Sequence, residues 1–241
     1  MSGHNKWSTI KHKKGKADAE RGRIFSRLVK EITVAAREGG GDPEMNPRLR
    51  VAVDTAKSQN MPNDNIDRAI KRGTGELEGV TYEEITYEAY GPGGVAILIE
   101  VLTDNRNRSA AEIRHTLSKG GGSLGQRNSV AYLFAKQGQL TVDSSAHSED
   151  QVMEAGLEAG LSDVYTDDGL HVLSTLPEDV FKVRDALEEA GIKVESAEIV
   201  KVPSNTVALS GREADQTVRL LNALEENEDI QAVYSNFDRT D

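Results

Sequence analysis

"EEITYEAYGPGGVAILIEVLTD", residues 83–104, decides how this chain divides. Two runs of strand-type residues, "EEITYEAY" and "VAILIEVLTD", flank "GPGG" (Gly91–Gly94), a glycine–proline turn signal. Before Gly75 the apolar residues recur at helical spacing, and after it the period becomes that of strands alternating with helices. The boundary between an all-helical part and a mixed part therefore falls close to residue 77.

Upstream, the spacing predicts three helices. From Ala17 to Glu38 the apolar positions Ile24, Phe25, Leu28, Val29, Ile32, Ala35 and Ala36 span a wedge of about 140° at roughly 100° per residue, with Arg23, Arg27, Lys30 and Arg37 almost opposite it. "GGGD" (Gly39–Asp42) stops that helix. "NPRLRVAVDTAKSQN" gives a second, with Asn46 as cap and Pro47 in its first turn, and "MPNDNIDRAIKRGTG" a third, ending at Gly73.

Downstream, helix "NRSAAEIRHTLSKGGG" follows the two strands, and "SVAYLFAKQGQLTVD" reads as one long strand or two joined at Gly138. Next come helix "SEDQVMEAGLEAG", strands "DVYT" and "GLHVLST", helix "PEDVFKVRDALEEAG" and strand "KVESAEIV". Strand "NTVALSG", helix "EADQTVRLLNALEEN" and strand "IQAVYSNF" close the chain. This order predicts an α+β multidomain protein: a basic three-helix domain with an N-terminal arm (residues 1–77), and two ferredoxin-like α/β units. One unit (residues 136–200) is inserted into the other (residues 78–135 and 201–241).

Charge follows the same division. The net charge is −11 and the pI about 5.0. Yet residues 1–75 carry 16 Lys and Arg against 9 Asp and Glu, whereas residues 76–241 carry 13 against 31. A basic segment on an acidic body points to nucleic acid or another polyanion as its partner.

Other function classes fare poorly. With no cysteine, disulfides, thiol catalysis and Cys-ligated metals are excluded. No apolar run reaches the length of a membrane helix, and no apolar signal region follows the basic N-terminus. His4, His12, His115, His147 and His171 are scattered without metal-ligand spacing. "GGGSLG" (Gly120–Gly125) matches a dinucleotide-loop pattern in letters, but it ends a helix where such a loop follows a strand, so a flexible loop is expected. "GPGG" lacks the G-K-[ST] of a P-loop. Neither an enzyme, a cofactor nor a metal is expected.

The candidate nucleic-acid contacts are Lys6, Lys11, Lys13, Lys14, Lys16, Arg21, Arg23, Arg27 and Lys30 of the arm and first helix, and Arg68, Lys71 and Arg72 of the third. Cations of this kind neutralise phosphates and release counterions. Arg106 and Arg108 of "NRNR" form a second basic loop at a helix N-terminus, where amides attract anions. Trp7 either stacks on an unpaired base or pins the arm to the helical core.

"GHNKWSTIKHKK", "RGRIFSRLVKEITVAAREGG", "NPRLRVAVDTAKSQNMP", "YEAYGPGGVAILIEVLTDNRNRSAAEIRHTLSKGGG" and "SVAYLF" together resemble the YebC family of bacterial regulatory proteins. The resemblance covers the whole chain and is strongest from residue 3 to about residue 135. It implies three domains, one α/β domain inserted in another, and a cytoplasmic protein that regulates transcription by binding DNA. The family also holds translation activators, which makes an RNA or ribosome contact the alternative; a protein-interaction or ligand-sensing module is a further one. The resemblance places the nucleic-acid role on Lys6, Lys11, Lys13, Lys14, Lys16, Arg21 and Arg23, and implies no catalytic residues. The family motif begins at residue 3, which implies a bacterial cytoplasmic protein without a targeting extension. No membrane contact is expected, a protein partner on the acidic domains is possible, and a monomer is expected.

Overall fold

The computed structural model describes residues 18–240, with side chains from Arg21 onward. Helix α1 spans Asp18–Gly39, α2 Pro47–Ser58 and α3 Asn63–Thr74. Their apolar stripes meet in one core built around Ile32, Ala35, Leu49, Val53, Ala56, Ile66 and Ala69. The corner between α1 and α2 is held by buried Asn46. Its side-chain oxygen accepts from the Leu49 N–H at 3.1 Å, and its amide donates to the carbonyls of Ala35 and Gly40. Gly73 does not end α3; Gly75, with φ +84°, does. Gly73 instead lets two helices touch, since a Cβ there would lie 2.4 Å from the Thr33 carbonyl of α1.

The mixed part opens with strands β1 (Glu83–Tyr90) and β2 (Ala96–Thr103), antiparallel across the Gly91–Gly94 turn. Helix α4 (Arg106–Lys119) follows, capped by the Asn105 side chain, and then the two-residue strand β3 (Ser123–Leu124), which pairs with β1. The chain next builds a second sheet: β4 (Phe134–Asp143), α5 (Glu149–Gly156), β5 (Leu161–Asp167), β6 (Leu170–Thr175), α6 (Val180–Glu189) and β7 (Val194–Pro203). It then returns through β8 (Val207–Leu209), α7 (Gly211–Glu225), β9 (Ile230–Ser235) and β10 (Phe237–Arg239). Strand β4 passes through Gly138 without a break; glycine is required there by close packing, since a Cβ would meet Thr175 and Val180.

The second sheet has the order β5-β6-β4-β7, all antiparallel, which is the ferredoxin-like arrangement. The first has the order β3-β1-β2-β9, the same spatial pattern. Its chain path differs: the strand that a ferredoxin-like unit supplies third here comes first, through the β1–β2 hairpin. Strands β8 and β10 pair with each other in parallel as a separate ribbon.

Strand β2 is buried nearly throughout, which explains its continuous apolar run. Ile97, Ile99 and Val101 face Ile113, Leu117, Leu220 and Leu224 of α4 and α7. On the other side, Ala96 and Leu98 pack under Val130, Leu133 and Phe134. The inserted unit has its own core, centred on Leu140, Leu173, Val183 and Leu187.

Candidate nucleic-acid interface

The sequence places four cations on the outer face of α1, and the structure turns two of them inward. The Arg27 guanidinium donates to the backbone carbonyls of Glu225, the last residue of α7, and of Asn227 just beyond it. Burial lowers its pKa, the nearby Glu225 carboxylate opposing that and Arg23 adding to it. The Lys30 ammonium pairs with Asp229 Oδ1 at 2.6 Å and donates to the Glu228 carbonyl at 3.0 Å. Arg37 donates to the Tyr82 carbonyl. The phosphate role expected of Arg27 and Lys30 thus gives way to docking α1 onto the first α/β unit.

Asp229 is the centre of this docking and is missing from the sequence-based candidates. Only 6% of its side chain is exposed. Besides Lys30 it accepts from Arg108 Nη2 at 2.8 Å and lies within hydrogen-bond distance of the Ser109 and Thr103 hydroxyls. Burial pushes its carboxyl pKa up, but the bonds from Arg108, Lys30 and Ser109 prevail and hold it far below the usual carboxylate range. Arg108, expected to bind phosphate, is spent here and on Asp104. No periodicity marks Asp229, because it stands in the turn between α7 and β9. A buried acid at the start of a strand is visible only once three elements come together.

Around this knot lies a cleft of about 420 Å³ lined by Lys30, Tyr82, Asp104, Arg108, Glu112 and the turn Asn227–Asp229. Its carboxylates outnumber its cations, so it repels phosphate rather than holding it. Arg48 forms a second clamp, pairing with Glu31 and Glu38 of α1 and with Glu84 of β1.

The remaining cations face outward. Arg68, Lys71 and Arg72 stand at i, i+3 and i+4 on α3, within about 100° of one another and opposite buried Ile66 and Ala69. All three are exposed, and among the described residues no carboxylate forms a salt bridge with them. Arg23 is half-buried and, among the described residues, also outside the ion pairs; Arg106 is exposed in the first turn of α4. Arg21 is exposed as well. Lys6, Trp7, Lys11, Lys13, Lys14 and Lys16 lie outside the described residues.

Other expected chemistry can be placed too. Buried His171 bonds through its ring nitrogens to the His147 carbonyl and the Thr166 hydroxyl. Among the described residues no group of His, Asp and Glu is arranged to hold a metal, and no helix is long and apolar enough to cross a membrane. The "GGGSLG" segment is not a flexible loop. Gly120 and Gly122 bond back to Thr116 and Leu117, and Ser123–Leu124 joins the sheet. A Cβ on Gly122 would fall 2.5 Å from the Tyr90 carbonyl.

Comparison with known proteins covers both parts of the chain. A family model described as the TACO1/YebC protein N-terminal domain matches residues 5–76, and one described as the TACO1/YebC second and third domain matches residues 82–237. A protein of Desulfatibacillum aliphaticivorans named "Probable transcriptional regulatory protein" is 58% identical over 241 residues, covering 100% of this chain and 98% of its own. One of Halothermothrix orenii with the same name is 58% identical over 244 residues, covering 100% and 96%. The crystal structure of a conserved hypothetical protein from Aquifex aeolicus superposes with a TM-score of 0.87 at 47% identity, covering 96% of each chain.

Proposed function

We propose, from the premise that this chain belongs to the TACO1/YebC family, that it is a non-enzymatic, nucleic-acid-binding regulator of gene expression that grips phosphate with its helical domain. The observation that carries this reading is the sorting of cations. Those that touch the α/β units are consumed by Asp229, Asp104 and backbone carbonyls, while Arg68, Lys71 and Arg72 are left on one outer helix face. The sequence adds Lys6, Lys11, Lys13, Lys14 and Lys16 ahead of α1. Phosphate contacts of this kind position a protein on nucleic acid without reading sequence. The carboxylate-rich faces of the α/β units are repelled by the same phosphates and offer a surface to a basic protein partner. A monomer in the cytoplasm fits this reading.

The relatives' name favours DNA and transcription. A second reading, an RNA contact on the ribosome, is supported by the Lys-rich N-terminal sequence with its one tryptophan, Trp7, which suits irregular RNA. The test is a salt titration of the wild type against a variant with Lys11, Lys13, Lys14 and Arg23 each changed to Glu. Wild-type affinity should fall linearly with salt on a log–log plot, by a slope of about 0.9 per phosphate contact on duplex DNA and about 0.7 on single strands. The variant should keep its circular dichroism spectrum and lose binding. Unchanged binding would defeat the reading.

A further inference from the structure

A second contact surface stands on the acidic body itself. From Ile113 to Val142 the chain contains no Asp or Glu, although residues 76–241 carry 31 of them. Within that stretch Arg114, Lys119, Arg127 and Lys136 are all exposed, and among the described residues none has an ion-pair partner. Between Gly125 and Phe134 this stretch forms a loop that is held to an unusual degree. The buried Glu88 carboxylate accepts the N–H groups of Asn128 at 2.5 Å, Val130 at 2.7 Å and Ala131 at 2.8 Å. Gly125 donates to the Glu88 carbonyl, and the Tyr90 hydroxyl donates to that of Ser129. Asn128 sits at φ +63°, where a non-glycine residue is uncommon. Val130 plugs the loop into the sheet.

Three amide donors satisfy this buried carboxylate, and together they clamp the loop in one shape. What the shape displays is Tyr132, 76% exposed, with Arg127 and Lys136 on the same segment. A large exposed aromatic on a clamped loop, with Arg127 and Lys136 five and four residues away in the chain, in the longest acid-free stretch of an acidic body, fits an unpaired base. The ring takes the base by stacking, and the cations take the flanking phosphates.

We infer that the loop Gly125–Phe134 is a stacking platform for an unpaired nucleotide, with Tyr132 under the base and Arg127 of the loop and Lys136 at the start of β4 on the backbone. The inference rests on the proposed nucleic-acid function and adds the form of its ligand: single-stranded RNA, or DNA opened into single strands. Duplex binding by the helical domain does not require it.

The test uses the full chain and fluorescence anisotropy with a short labelled oligouridylate, its deoxy counterpart and a duplex of the same length. Tyr132→Ala should weaken binding of single strands by about 5- to 150-fold, the loss of one base–aromatic stack, while Tyr132→Phe keeps it and duplex affinity stays unchanged in both. The RNA and DNA single strands distinguish the two sources of the unpaired base. Because Tyr132 is exposed, thermal unfolding of the variants should match the wild type. Equal single-strand binding by wild type and Tyr132→Ala overturns the platform, as does an equal loss on duplex. A wild type that binds duplex but no single strand overturns the platform and leaves the wider function standing. A wild type that binds neither removes both.

Discussion

Asp229 and Glu88 show how single buried carboxylates organise this molecule. Each loses hydration on folding and recovers it from donors fixed in place. Asp229→Ala leaves Lys30 without its acid, Arg108 with Asp104 alone, and the Ser109 and Thr103 hydroxyls short of an acceptor. Breaking a buried ion pair from one side costs about 3–5 kcal/mol. Urea unfolding of the α/β signal should show a loss in that range, and hydrogen exchange in α1 should rise with it. Glu88 makes a pH prediction. Burial pushes its carboxyl up, but the N–H groups of Val130, Ala131 and Asn128 outweigh burial, so its folded pKa lies below the usual 4.5. A depressed carboxylate stabilises the fold fully above its unfolded pKa and loses that contribution as pH falls through the folded value. The wild type should therefore lose stability below about pH 4.5, measured as a falling unfolding midpoint. Glu88→Gln should be less stable at neutral pH by about 1–3 kcal/mol, since an amide cannot accept all three bonds as a carboxylate does. Its stability should also vary less across the acid range.

At the scale of elements, α1 and α3 approach closely at Gly73. Gly73→Ala favours helix locally, yet its methyl would collide with the Thr33 carbonyl and the Ala36 side chain. Overpacking of this kind costs about 1–3 kcal/mol, so the variant should melt earlier than the wild type; an equal or higher Tm would show that the helices can separate at no cost. The same element shows what sequence alone makes legible. The period of Ile66, Ala69 and Ile70 declares the helix and its buried face, and three helices, the hairpin and the ferredoxin-like order were readable from such periods. The role of Gly73 was not, because a glycine near a helix end reads as a stop until a second helix is seen against it. Likewise the stripe of Arg23, Arg27, Lys30 and Arg37 was legible as a stripe, but which cations face solvent depends on the turn at Asn227–Asp229, some 200 residues away in the chain. The rigidity of the 120–134 segment was hidden for the same reason: its clamp, Glu88, reads in the strand as one more surface acid.

At the scale of the molecule, the helical core and the cores of the two sheets are separate clusters joined by polar clamps, with a smaller fourth cluster of Ala96, Leu98 and Val130 under Phe134. The helical core meets the first sheet through Arg27, Lys30, Arg37 and Arg48, and the first unit meets the second through the Lys201–Glu100 ion pair. The inserted unit leaves and re-enters along adjacent strands. Phe134 is paired with Pro203, and the Ser204 N–H donates to the Leu133 carbonyl at 2.7 Å. The two cut points are therefore neighbours in space. Replacing residues 134–203 by a short glycine link should leave a chain whose remaining sheet and helical domain still fold, measured by cooperative unfolding and by retained amide protection in β2. Collapse of that chain would mean the insert is needed to cover Ala96 and Leu98. Survival would make the second unit a cassette. A cassette hung on a two-strand stem can be exchanged between relatives, or replaced by an engineer's chosen domain, without redesigning the part that holds it.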